Sequence, residues 1–198
     1  YVCGDAYVDH PSFGAAVICR VLEDAGYRVA FLAQPNFKNT KDFMRFGRPK
    51  LAFLVSSGNV DSMVAHYSVS KKRRTYDYYS PGGKMGLRPD RAATVYTKRI
   101  REAYGKDVAI ILGGLEASLR RFSHYDYWAD AMHKSILVES GADMVTYGMG
   151  EAILLRLAEL LSKGIPIHKI RDVRGTVYLC APEDKLHFPV AAEFDYNV

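Results

Sequence analysis

The sequence is poor in cysteine. It has three in 198 residues, Cys3, Cys19 and Cys180, an odd number and widely spaced. They form no CxxC pair, no zinc pattern and no disulfide framework, so a reducing compartment, the cytoplasm, is expected. Long apolar runs are missing as well. None approaches the roughly 20 residues that span a bilayer, and no basic stretch followed by an apolar one opens the chain, so neither a membrane partner nor a secretory leader is expected. Tryptophan is almost absent; the single Trp128 reads as a packing anchor. No GxGxxG unit and no GxxxxGK[ST] loop occurs, which removes two common glycine-rich nucleotide fingerprints. No Ser-His-Asp or Cys-His arrangement stands out, and no internal repeat. An initiator Met is also lacking. Tyr1-Val2-Cys3 reads as the tail of a strand already under way, and "AAEFDYNV" does not read as a finished element, so a piece of a longer polypeptide is expected.

What is present is globular. Hydrophobic residues make up 48% and charged residues 25%, a composition able to fold at the size of one ordinary domain. Strand-like and helix-like pieces alternate. Ser12–Gly26 reads as a helix with Phe13, Val17, Val21 and Ala25 on one stripe, flanked by Ala16 and Leu22. Tyr27–Ala33 and Leu51–Ser56 read as strands, Asp90–Tyr104 as a helix with Ala93, Tyr96, Ile100 and Ala103 along one side. Val108–Leu112 and Asp143–Gly148 are further strands. Glu151–Gly164 is a helix with Leu154, Leu157, Ala158 and Leu161 inward, and Gly175–Cys180 a last strand. Short unbroken apolar strands separated by helices predict an α/β fold, a three-layer, open, mainly parallel sheet.

Charge is uneven. Ser68 to Lys106 holds eleven Lys or Arg against three acids, an excess of eight in a chain of net charge +5, so the remainder is close to −3. The non-periodic segment 68–89, "SVSKKRRTYDYYSPGGKMGLRP", is long for a loop. A solvated face is one reading. An RNA- or phosphate-binding module is the alternative, because Tyr76, Tyr78 and Tyr79 interleave with the cations as in single-strand binders. No RRM, KH or helix-turn-helix signature supports it.

Parallel open sheets bind ligands beyond the carboxyl ends of their strands. The segments just past those ends are loaded: "GDAYVDHPSFG", "SGNVDSM", "GGLEASLRRFSHYDYW" and "GMGE". The opposite junctions, "GYR", "GRPK" and "GKD", are plain. The candidate rim is therefore Asp5, Asp9, His10, Ser12 and Gly14 after the first strand, then Ser57, Gly58, Asn59 and Asp61. Gly113, Gly114, Glu116, Ser118, Arg120, Arg121, His124 and Tyr125 follow the central strand, and Gly148, Gly150 and Glu151 the next. Each has a plainer reading. Asp5, Asp9 and His10 resemble a metal cluster on paper but suit helix capping. Glu116 is expected to pair with Arg120 or Arg121 and staple the loop, unless the arginines fork onto a phosphate or carboxylate. Glu151 complements a helix dipole. His124 fits a structural hydrogen bond. No metal site is assigned, and no catalytic residue is named.

The strings "GDAYVDHPSFGAAVICRVLEDAGYRVAFLAQP", "GNVDSMVAHY", "RPDRAATVYTKRIREAY", "ILGGLEASLRRFSHYDYW" and "VTYGMGE" closely resemble the N-terminal region of the YgiQ-type radical SAM family. The likeness covers nearly the whole chain. It implies a cytoplasmic iron–sulfur protein. It also implies a cobalamin-binding-like domain at residues 1–180, carrying the basic loop 68–89, with a linker at 181–198 toward a radical SAM barrel. The chain departs from the family chemistry in one respect: radical SAM proteins hold a [4Fe–4S] cluster and S-adenosylmethionine through CxxxCxxC, which Cys3, Cys19 and Cys180 cannot supply. This stretch alone is therefore expected not to be catalytic, the barrel being its partner. Cobalamin carriers use DxHxxG to place a His on cobalt. Here "DHPSFG" puts Pro11 at that position and His10 one residue off, so the expectation leans against cobalamin while leaving binding without a His open.

Overall fold

The computed structural model describes residues 1–8 and 13–181. Its elements in chain order are β1 (Val2–Cys3), α1 (Gly14–Asp24), β2 (Leu32–Ala33), β3 (Ala52–Ser56), α2 (Ser62–His66) and α3 (Ala92–Tyr104). Then come β4 (Ala109–Gly113), α4 (Gly114–Leu119), β5 (His124–Asp126), β6 (Ala131–His133), α5 (Ile136–Ser140), β7 (Met144–Thr146), α6 (Gly150–Ser162) and β8 (Thr176–Tyr178). Six strands form one sheet in the order β2-β1-β3-β4-β7-β8. All neighbours are parallel except β7 and β8, where Met144 faces Tyr178 and Thr146 faces Thr176 in antiparallel register. β5 and β6 make a separate antiparallel hairpin.

Alternation along β4 builds the three layers. Ile110 and Leu112 point into a cluster with Ala93, Tyr96 and Ile100 of α3 and Ile136 and Leu137 of α5. Ile111, between them, points the other way, to Leu154, Leu157 and Leu160 of α6, with Ile18 of α1 packed alongside. Each buried aliphatic side chain contributes roughly 1.5–3 kcal/mol, which is why the central strands carry no polar residue until their ends. The predicted three-layer, mainly parallel α/β class is the fold observed.

Several details differ from expectation. The inward side of α1 runs through Ile18 and Leu22; Phe13 and Val17 face solvent at 66% and 39% exposure. Apolar residues occupy every side of the first turns, with Arg20, Glu23 and Asp24 coming only later, so spacing alone did not select a face. The strand expected over Tyr27–Ala33 shrinks to Leu32–Ala33, because at the sheet edge only these two residues find a partner, Val2 and Cys3. The short elements α2, α4, α5 and the β5–β6 hairpin had no periodic signature. The segment 68–89 is not loose: Tyr67 bridges Arg73, and Pro81–Gly83 forms one 3₁₀ turn. Nearly all of the predicted linker 181–198, residues 182–198, lies outside the described residues. No helix among the described residues is long and apolar enough to cross a membrane.

Candidate functional site

The chain passes from β1 through α1 to β2 on one side, then returns to β3 on the other. The strand order thus reverses between β1 and β3, the place where open sheets leave a crevice. A cavity of about 290 Å³ lies there. Its apolar side is Leu54, Ile111 and Leu154, with Val17 and Ile18 of α1. Its polar side is Asp5, Ser56, Asn59, Thr146 and Glu151. Backbone forms much of the rest, at Gly58, Gly113, Gly114, Gly148 and Gly150. Two of these glycines are required. Gly58 has φ +109°, and a Cβ there would stand 2.0 Å from an Asp5 carboxylate oxygen. Gly114 has φ +81°, and its Cβ would stand 2.7 Å from Ser56 Oγ. Side chains at either position would be strained and would press into the polar edge of the cavity.

Beneath the mouth a buried charge network fixes the loops. Arg88 is fully buried. Its Nη1 donates to Asp5 at 2.7 Å and to the Ser57 carbonyl at 3.3 Å, and its Nη2 donates to both Asp77 oxygens at 2.9 and 3.0 Å. Asp5 accepts in addition from the Asn59 amide at 2.7 Å. Asp77 accepts from the Tyr79 amide and from Ser80 Oγ, each at 3.0 Å. One guanidinium therefore ties the basic segment, the exit of β1 and the exit of β3 together. Sequence reading did not single out Arg88 or Asp77. Arg88 is 83 positions from its partner Asp5, beyond any local pattern.

Glu116 does not pair with an arginine, contrary to expectation. It is buried and clamps two helix starts: Oε2 accepts from the Ser62 amide at 2.9 Å and Ser62 Oγ at 2.6 Å, and Oε1 accepts from the Ala93 amide at 2.9 Å. The orphan amides at the starts of α2 and α3 are donors that a carboxylate satisfies, and they take up the oxygens of Glu116. Glu116 is thus a structural residue below the rim. Arg120 instead pairs with Asp61, whose other oxygen caps α2 through the Met63 and Val64 amides.

The candidate rim residues divide accordingly. Asp5, Gly14, Gly58, Asn59, Gly113, Gly114, Gly148, Gly150 and Glu151 line the cavity. Ser57, Asp61, Glu116, Ser118, Arg120, Arg121, His124 and Tyr125 do not. Ser57 donates to the Val60 carbonyl at 3.0 Å and Ser118 to the Gly114 carbonyl at 2.8 Å. His124 Nδ1 sits 3.1 Å from the Phe122 carbonyl, the structural bond expected of it. Tyr125 is exposed on the hairpin, bonded to Asp130. Trp128 packs against Tyr67 and Tyr127. Asp9, His10 and Ser12, with Pro11, lie outside the described residues. Ser56, Thr146 and Met149, which also line the cavity, were missed because each looks like an ordinary strand or turn residue.

Titration behaviour follows burial. Desolvation pushes the Cys3 thiol up to about 12. His66, wholly buried, has its imidazole pKa lowered by burial, against the opposing pull of Asp90, 2.6 Å from Nδ1. Among the described residues no group of three His, Cys, Asp or Glu could hold a metal. The three cysteines sit on β1, on α1 and beyond β8, so this chain does not supply a three-thiolate cluster site.

Of the eleven cations counted between Ser68 and Lys106, four are committed to carboxylates of the same chain: Arg88 as above, Arg91 with Asp126, Arg99 with Glu102 and Arg101 with Asp143. Asp5, Asp126 and Asp143 lie outside the segment and lower the basic excess it offers to a nucleic acid, whereas Asp77 and Glu102 are already counted in that excess.

Comparison with known proteins places this geometry. A UPF0313 protein of Clostridium botulinum (strain 657 / Type Ba4) is 58% identical over 178 residues, 90% of this chain and 28% of its own length. A UPF0313 protein of Clostridium perfringens (strain 13 / Type A) is 55% identical over 186 residues, again 28% of its length. The chain thus spans little more than a quarter of these curated relatives. Among solved structures, TsrM, a radical S-adenosylmethionine methyltransferase from Kitasatospora setae, matches over 89% of this chain and 26% of its own. The TM-score is 0.58 at 17% identity, in a structure holding cobalamin and a [4Fe-4S] cluster. A second TsrM structure, with tryptophan substrate and a SAM analog, matches with TM-score 0.57 at 18% identity. These likenesses show a shared fold. The profile described as radical SAM N-terminal matches residues 1–195, and the chain accordingly belongs to the radical SAM N-terminal family.

Proposed function

We propose that this domain is the accessory, ligand-holding part of a radical SAM enzyme, its strand-end rim turned toward the catalytic domain and its cavity holding part of a corrinoid. The cavity at the strand-order reversal carries the proposal. Its position, its apolar wall of Leu54, Ile111 and Leu154, and its glycine-lined mouth would suit the heteroaromatic tail of such a group. TsrM, the fold relative, is solved with cobalamin. The expectation against cobalamin rested on Pro11 at the place of a cobalt ligand. That objection bears on a protein ligand to the metal, and not on a tail held by the cavity wall; no described histidine lines the cavity. A corrinoid bound there would supply methyl-transfer chemistry to the neighbouring active site. The chain's own residues hold and orient it: the aliphatic wall excludes water, and Ser56, Asn59 and Thr146 offer hydrogen bonds at the mouth.

The exposed apolar residues around the rim support the second half of the proposal. Leu115, Leu119, Phe122 and Met149 are 47%, 60%, 60% and 80% exposed, an unusual density for a surface meant only for water. The remaining length of the relatives is available to cover it. The nucleic-acid alternative has less support, since Arg88, Arg91, Arg99 and Arg101 are already paired with carboxylates.

The test uses full-length protein reconstituted with iron and sulfide and incubated with cobalamin. Retention of a corrinoid spectrum by the wild type, lost in Gly114→Leu while the brown cluster colour persists, is the expected result. A wild type that retains no corrinoid after gel filtration would refute the corrinoid assignment.

A further inference from the structure

Arg121 is set apart from the other arginines near the rim. Arg88, Arg91 and Arg120 each have a carboxylate partner. Arg121 has none within ion-pair distance among the described residues. Its main chain is nevertheless fixed: its carbonyl accepts from Ser135 Oγ at 2.8 Å, and the adjoining Arg120 carbonyl accepts from the Ile136 amide at 2.8 Å, both at the start of α5. Its guanidinium is held by rings, 4.9 Å from the centroid of Tyr147 and 5.1 Å from that of Phe122, with Nη1 donating to the Ser118 carbonyl at 2.5 Å. Cation–π stacking orients the plane of a guanidinium without neutralising it. Most of its N–H fork is therefore unspent while its position is already set, and this is the arrangement that recognises a planar or tetrahedral oxyanion at low ordering cost.

Location supplies the second half of the argument. Tyr147 stands between Thr146 and Gly148, both of which line the cavity, and Ser118 belongs to α4, whose first residues Gly114 and Leu115 line it too. Arg121 thus contacts two segments, the exit of β7 and α4, whose neighbouring residues line the cavity, without lining it itself. Glu151, which lines the mouth in the first turn of α6, disfavours an anion near itself. We infer that Arg121 binds an anionic group, a phosphate or carboxylate, of the small molecule whose apolar part occupies the cavity. This rests on reading the cavity as a ligand site.

Full-length protein is titrated with cobalamin and with cobinamide, which has the same ring but lacks the phosphate-bearing nucleotide. A charge-assisted hydrogen bond predicts that Arg121→Gln weakens cobalamin binding roughly tenfold or more, leaves cobinamide unchanged, and that Arg121→Lys recovers part of the loss. Unchanged cobalamin binding in Arg121→Gln, or equal losses for both corrins, overturns the inference. Should the wild type bind neither corrin, the corrinoid reading fails on its own, and inorganic phosphate decides Arg121 separately. A saturable shift of the Arg121 Nε resonance, with selectively labelled arginine, then upholds the anion site. The absence of a shift, as when an acidic side chain of the following domain already holds the guanidinium, overturns it.

Discussion

Replacing Arg88 by Met should release three segments at once. The side chain is 0% exposed and sits between Asp5, 8% exposed, and Asp77, 1% exposed. Met retains much of the aliphatic volume, so the principal change is the loss of the charge and of four hydrogen bonds. Removing one member of a buried ion pair costs about 3–5 kcal/mol, because the remaining charge stays buried without compensation. Here two carboxylates lose their partner, yet each keeps other donors: Asn59 for Asp5, Tyr79 and Ser80 for Asp77. The lower end of that range, about 3 kcal/mol, is therefore expected. Hydrogen exchange on full-length protein reads this locally. The amides of Asn59 and Tyr79 should exchange roughly a hundredfold faster, while those of the central strand β4 change less. Adding Asp77→Asn should restore about 1–2 kcal/mol by removing one orphaned charge. Unaltered exchange at Asn59 and Tyr79, or a double variant no more stable than Arg88→Met, would refute the view that Arg88 ties the loops together.

Three further outcomes rest on the same physics. The pKa of His66 is lowered by burial, so between neutrality and mild acid the unfolded imidazole takes up a proton that the folded one refuses. Its stabilising contribution is complete above its unfolded pKa of about 6.5 and is lost as pH falls toward the folded value. Between pH 7.5 and 5.5 the wild type should therefore lose more thermal stability than His66→Gln, and equal losses in calorimetry would contradict this. Gly58→Ala forces a Cβ 2.0 Å from the Asp5 carboxylate in a left-handed backbone; a loss of about 2 kcal/mol or more is expected in thermal denaturation, and a neutral substitution would count against the tight β1–β3 junction. The thiol of Cys3, held up at about 12, should resist iodoacetamide at pH 8 while exposed Cys180 reacts. Peptide mapping that found Cys3 alkylated first would contradict its burial.

The class of fold was legible because β3, β4 and α6 carry strong periodic apolar signals, and those elements lie within two residues of their predicted bounds. The loaded rim was legible for a similar reason, since strand direction in a parallel sheet fixes which junctions share an edge. Partnerships across the fold were not. Glu116 and Arg120 stand four residues apart, at helical spacing, and pairing them was the natural reading; the structure gives Glu116 to amides of α2 and α3, and Arg120 to Asp61. Only tertiary packing brings those starts together, and nothing local announces it. The face of α1 was misread because its polar residues Arg20, Glu23 and Asp24 come only in its second half and leave the first turns unmarked.

The reversed direction of β8 decides which of its ends shares the rim. Thr176 begins beside Thr146 at the rim, and Tyr178 ends beside Met144, level with Ile111 at the middle of β4, so β8 covers the free edge of β7 while adding nothing to the cavity.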